Sequence, residues 1–276
     1  MAVTSFIPQL WAGALLAHLD KAHVVANLVN RNYEGEIRQC GDTVKINQIG
    51  AVTVKTYTEN TDIADPEELT TTETVLRIDK QKYFNFQIDD VDKAQVKSDL
   101  MDSAMYRSAY AMADQIEKDI LTVIDTEAST RILPSAELSA SNIYGELVKV
   151  KVAMDKENVP STGRVGIISP DTHALLLQDE RFVATGGTMA EGNLQNGYIG
   201  RVLGIDLFMS NNIDTLTNGN AGIFFIREAV TFAEQITSTE AYRMEKRFAD
   251  AVKGLAVYGT KVTMPKAVVT LKKTTV

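Results

Sequence analysis

Two alternating segments, VTVKTYTEN and TTTETVLRIDKQKYFNFQID, lie within residues 52–88 and flank a polar connection, ENTDIADPEEL, that is too long for a tight hairpin turn. Val52, Val54 and Thr56 alternate with Thr53, Lys55 and Tyr57, and on the return Thr74, Leu76 and Ile78 alternate with Val75 and Arg77. A two-stranded ribbon of this length cannot bury its own faces, and such ribbons are marginal in water. The pattern predicts a long hairpin that needs partner chains, which points to assembly rather than catalysis. Its tip carries Pro66 and the carboxylates of Glu59, Asp62, Asp65, Glu67 and Glu68, a composition that discourages uncontrolled edge pairing. Together with Tyr57, these five acids are the residues expected to meet a neighbouring subunit.

Around this ribbon the chain mixes helices and strands. Residues 5–32 read as an N-terminal arm with an amphipathic helix, and GDTVKINQIG (41–50) as a strand with Val44 and Ile46 on one face. Residues 89–125 read as one helix of about 30 residues, far above the usual mean. Its apolar and small stripe is expected to include Met105, Ser108, Ala111, Met112, Ile116 and Ile120, with Asp89, Asp90 and Asp92 opposing the macrodipole at its start. A second helix is expected over 142–157, then a buried strand in GRVGIISP. Ser169, Pro170 and Asp171 supply the N-cap, first position and first-turn acid of a third helix. After a Gly-rich loop, TGGTMAEGNLQNG, three strand-forming stretches complete the chain. Without regular βαβ repetition, the fold class is α+β.

The side chains give little support to chemistry. Of the three histidines, His18 and His23 are five apart, not at the i, i+4 spacing of a helical metal pair. The Gly-rich loop lacks the GK[ST] ending of a phosphate loop, and the aspartates at 89–92 lack the calcium-loop spacing. A single cysteine, Cys40, excludes an intramolecular disulfide and is expected as a small buried side chain. No catalytic residue, cofactor or metal is expected. A formal net charge of −8 argues against generic binding to duplex DNA, though not against enclosing it. Lys261, Lys266, Lys272 and Lys273 read as a solvated face. Trp11, the sole tryptophan, packs on the chain's own core or anchors a neighbour. The N-terminal apolar run is interrupted by Pro8, His18, Asp20 and Lys21, so neither a signal peptide nor a membrane span is expected.

The order of parts, with FIPQLWAGALLAHLDKAHVVANLVNRNYEGEI, GDTVKI, ISPDTHALLLQDERF and NGYIGRVLGIDLFMSNNI, resembles the major capsid (coat) proteins of tailed bacteriophages, which share the Hong Kong 97 fold. The resemblance spans nearly the whole chain. It implies an N-terminal arm and incoming strand over 1–50, an extension loop over 51–88, and a spine helix of the peripheral domain over 89–129. An axial domain would occupy 130–222, and strands returning to the peripheral domain 223–276. It further implies hexamers and pentamers in an icosahedral virion shell around double-stranded DNA, assembled in the host bacterial cytoplasm with a portal. Because no inserted accessory domain fits the central region and no fused scaffolding segment precedes the arm, a separate scaffolding protein is expected. Some relatives form autocatalytic Lys–Asn isopeptide crosslinks; Lys55 lies in the loop, but the sequence identifies neither its partner nor a catalytic carboxylate, so no crosslinking is expected. An encapsulin-like compartment enclosing a cargo enzyme is the alternative.

Overall fold

A computed structural model describes residues 23–34, 41–50, 52–57, 59–60, 62, 65–89, 100–179, 198–216, 219–246 and 248–273. Trp11, His18, Cys40, Asp90, Asp92 and the Gly-rich loop lie outside the described residues.

The largest assembly is a six-stranded mixed sheet. Its strands are β4 (Thr130–Ile132), β5 (Arg164–Ile168), β6 (Tyr198–Val202), β7 (Ile205–Met209), β8 (Asn220–Ile226) and β11 (Val269–Lys272), in the order β4-β11-β8-β5-β7-β6. β5, β8 and β11 are buried at every residue, as strands covered on both faces must be. Gly166 on β5 makes this packing possible, because a Cβ there would stand 2.7 Å from the Phe224 ring and 2.8 Å from Leu207. The β6–β7 connection is the two-residue turn Leu203-Gly204 with φ of 54° and 83°, the left-handed pair that suits a tight hairpin. The helix α2 (Ile143–Lys156) buries Ile143, Leu147, Val150 and Met154. The helix α3 (Pro170–Leu177) starts as its sequence requires, the Ser169 side chain accepting from the Thr172 N–H.

A second layer is the three-stranded antiparallel sheet β3-β10-β9, built from Lys80–Asp89, Ala249–Val262 and Val230–Arg243. The long helix α1 (Leu100–Glu127) packs on one face of it. Met105 and Ala109 of α1 meet Val252 with Phe84 and Phe86, and Met112, Ile116, Ile120 and Ile124 continue the stripe into the main core. Met105, Met112, Ile116 and Ile120 of the expected stripe are buried, but Ser108 is half-buried and Ala111 exposed, their place being taken by Ala109. Asp89 is the last residue of β3, paired with Ala249, and does not begin the helix.

The ribbon differs from its expected form. Its paired strands are β1 (Thr43–Ile49) and β2 (Thr71–Arg77), in register from Thr43↔Arg77 to Ile49↔Thr71, and residues 52–57 form no strand. Residues 51–88 are thus not one loop: 80–88 belong to β3, inside the three-stranded sheet. The expected boundary at 222/223 falls within β8, and β11 of the expected return segment sits between β4 and β8 in the large sheet.

Candidate assembly interface

The root of the ribbon is fixed to the body. Val44, Ile46, Leu76 and Ile78 form a small core with Ala233 and Val257, with Tyr33 against it. β10 approaches so closely at Gly259 that a Cβ would lie 2.1 Å from the Arg77 carbonyl oxygen. Only glycine fits there.

Beyond the last ladder pair the ribbon changes character. The Gly50 N–H donates to the Thr70 carbonyl at 2.8 Å, and past this point two extended legs continue without a ladder. Glu67 links them, its carboxylate accepting from the Thr53 N–H and hydroxyl, both at 3.3 Å. Tyr57, Glu59, Asp62, Asp65, Glu67 and Glu68 are brought together on this one segment, all exposed. The loop also presents apolar side chains whose alternation in sequence predicts sheet packing: Val54 is 94% exposed and Tyr57 67%, with Val52 and Leu69 similarly bare. Full burial of such a side chain against another surface is worth roughly 1.5–3 kcal/mol.

Other surfaces are aromatic rather than acidic. Tyr106 and Tyr110, one turn apart on α1, are exposed, as are Tyr83 of β3 and Phe248 in the β9–β10 turn. On the same sheet as Tyr83, the Asn85 amide donates to the Tyr242 hydroxyl at 3.2 Å, and Lys253 lies 5.6 Å over the Tyr242 ring while pairing with Glu240 at 2.8 Å. Only their long-range arrangement makes these residues visible, since isolated tyrosines carry no sequence signal of exposure.

The described part of the N-terminal segment lies along β9. The Asn30 N–H donates to the Val230 carbonyl and the Phe232 N–H to that of Asn30, each at 2.9 Å. Glu117 of α1 accepts from the Val24 N–H and, at 2.8 Å, from the Val25 N–H. Burial pushes its carboxyl above the ordinary range, against the opposing pull of those two donors. Glu234 receives Arg31 at 2.8 Å and faces the buried His23 at 3.4 Å. His173 is half-buried, and burial lowers its pKa. Among the described residues no group of three His, Cys, Asp or Glu could hold a metal, and no helix is long and apolar enough to cross a membrane.

The lysines expected as a solvated face separate. Lys266 is exposed, Lys261 bonds Glu127 at 2.6 Å, Lys273 reaches Asp214 and Asp171, and Lys272 is buried against Asp125.

A family model described as phage capsid protein matches residues 71–271. Among solved structures, one from Mycobacterium phage Che8 is 30% identical, with 92% of each chain covered and a TM-score of 0.72. The capsid of the cyanophage P-SCSP1u is 17% identical over 92% of this chain and 87% of that one, at a TM-score of 0.68. A virus-like particle from Pyrococcus furiosus is 15% identical over 95% and 98%, at 0.63. The last two likenesses speak for the fold alone. No curated protein sequence matches.

Proposed function

This chain belongs to the phage capsid protein family, and from that premise we propose that residues 52–70 are the arm by which one subunit of the shell holds the next. The protein is a tailed-phage major capsid protein of the Hong Kong 97 fold, a structural component of the virion shell. The observation that supports the arm is the contrast within the ribbon: its root is packed and its legs leave Val52, Val54, Tyr57 and Leu69 bare. A neighbouring copy covers those side chains, while Glu59, Asp62, Asp65 and Glu68 set the register of contact electrostatically. Trp11 serves the same contacts from the N-terminal arm.

In this reading residues 1–50 are the N-terminal arm and incoming strand, and α1 is the spine of a peripheral domain completed by β3, β9 and β10. The six-stranded sheet forms the axial domain. Subunits form pentamers and hexamers of an icosahedral shell around double-stranded DNA, with a separate scaffolding protein and a portal, assembled in the host bacterial cytoplasm. Each contact is modest, but every subunit engages several neighbours, so avidity holds the shell. The acidic chain does not adhere to the packed genome. The Pyrococcus furiosus likeness carries no argument for a cargo compartment beyond the shared fold.

Replacing residues 53–68 with a short glycine linker tests the arm. The expected variant is folded by circular dichroism and forms no closed shells in electron micrographs of protein co-expressed with its scaffolding partner. Normal shells from that variant would sink the assignment.

A further inference from the structure

β11 and β8 run antiparallel with Val269 opposite Phe224 and Leu271 opposite Gly222; a register slip then makes Lys272 the direct partner of Asn220. The slip places two complementary functional groups side by side. Lys272 Nζ stands 2.5 Å from Asn220 Oδ1, which brings the amine beside the amide carbon, and 3.2 Å from Asp125 Oδ1 on α1. All three side chains are removed from water, with Lys272 at 7%, Asp125 at 3% and Asn220 at 0% exposure. Asn220 Nδ2 is buried without a hydrogen-bond partner.

We propose that Lys272 and Asn220 join in an intrachain isopeptide bond, with Asp125 carrying the protons. An amine, a carboxamide and a carboxylate held together in a water-excluded site form the set this reaction needs. Proximity replaces a bimolecular encounter, the lysine is the nucleophile, and the carboxylate is the general base and then the general acid. A proton first passes from the Nζ ammonium to Asp125. The neutral amine attacks Asn220 Cγ, the second proton shed by Nζ is delivered by way of the Asp125 carboxyl to Nδ2, and the Cγ–Nδ2 bond breaks. The nitrogen leaves as ammonia, and Asp125 keeps the remaining proton as a neutral carboxyl. No oxidant or further reactant takes part. The product replaces a buried ion pair and an unpartnered amide nitrogen, both costly in the interior, with one secondary amide beside a neutral carboxyl. The bond lies within one subunit, so it produces no ladder on a denaturing gel and is independent of the arm proposed above.

Mass spectrometry of the purified full chain under denaturing conditions tests it. The expected intact mass is below the sequence mass by one ammonia. Tryptic digestion is expected to yield a branched peptide joining the segment containing Asn220 to that containing Lys272, without cleavage after Lys272. Asp125→Asn should restore the full mass with an unchanged circular dichroism spectrum. An unmodified mass for wild-type chains taken from mature particles would overturn the proposal, whether or not the variant folds. So would an ammonia loss that maps to a succinimide at Asn218-Gly219, or a linear peptide ending at Lys272.

Discussion

The loop at 52–70 and the six-stranded sheet both carry large apolar side chains, and those side chains meet opposite fates. β8, with Phe224 and Phe225, is wholly buried, whereas Val54 and Tyr57 stand largely bare. The sheet buries its apolar side chains within one chain. The loop has its alternation but no ladder, and among the described residues Glu67 bridges its legs through Thr53. Apolar residues left in water are what the proposed intersubunit arm accounts for, and the contrast separates what a subunit needs to fold from what that reading assigns to the shell.

The largest effect tests the sheet. Phe224→Ala should destabilise the isolated subunit by about 3–5 kcal/mol in urea unfolding; a loss no larger than a surface substitution would show that the core lies elsewhere. At the junction of the two regions, Gly259→Ala should cost roughly 1–3 kcal/mol, because its Cβ meets the Arg77 backbone at 2.1 Å, which cannot swing aside. Hydrogen exchange at Leu76 and Ile78 should rise selectively, and uniform change across the sheet would deny that the ribbon is a separately mounted element.

Glu117 sharpens the comparison for the N-terminal segment. Its folded pKa is raised, so the native state holds the proton more tightly than the unfolded chain, and stability falls as pH climbs from the unfolded carboxylate range through the folded value. Glu117→Gln keeps an acceptor for the Val24 and Val25 N–H groups and removes that dependence. The melting temperature of the variant relative to wild type should therefore rise with pH across this window; a constant difference would refute the buried anchor. Smallest of all, Tyr57→Ala and Val54→Ser should change subunit stability by no more than about 0.5 kcal/mol while lowering the yield of shells in co-expression. A stability loss like that of Phe224→Ala would place these side chains in the subunit's own core.

Much of this architecture is legible in residue patterns, and the errors share a physical cause. The α3 cap, the buried β5 and the α2 face follow from local rules, because Ser169, Pro170 and the i, i+4 spacing act on their own turns. Period-two alternation, however, is the same in 43–49, which has a ladder partner, and in 52–57, which has none. Choice of partner is a long-range matter, and so is the division of the return stretch between β2 and β3. Ala104, Ser108 and Ala111 share a helical row as convincing as Met105, Ala109 and Met112; only the position of β10 decides which is buried. The exposure of the loop's acidic residues is legible in the sequence, but that of Val52, Val54 and Leu69 is not. Lys272 reads like the exposed Lys266 because Asp125, 147 positions away, leaves no mark on the local pattern.

The placement of β11 between β4 and β8 also sets a clock on synthesis. β5, β6, β7 and β8 can pair while the chain is still being made, but β4 has no strand beside it in this sheet until residues 269–272 have left the ribosome. Contacts of such sequence separation form late and slowly. The loop at 52–70 emerges long before its body is complete, so in the proposed reading the arm is present before the subunit has a finished surface to receive one.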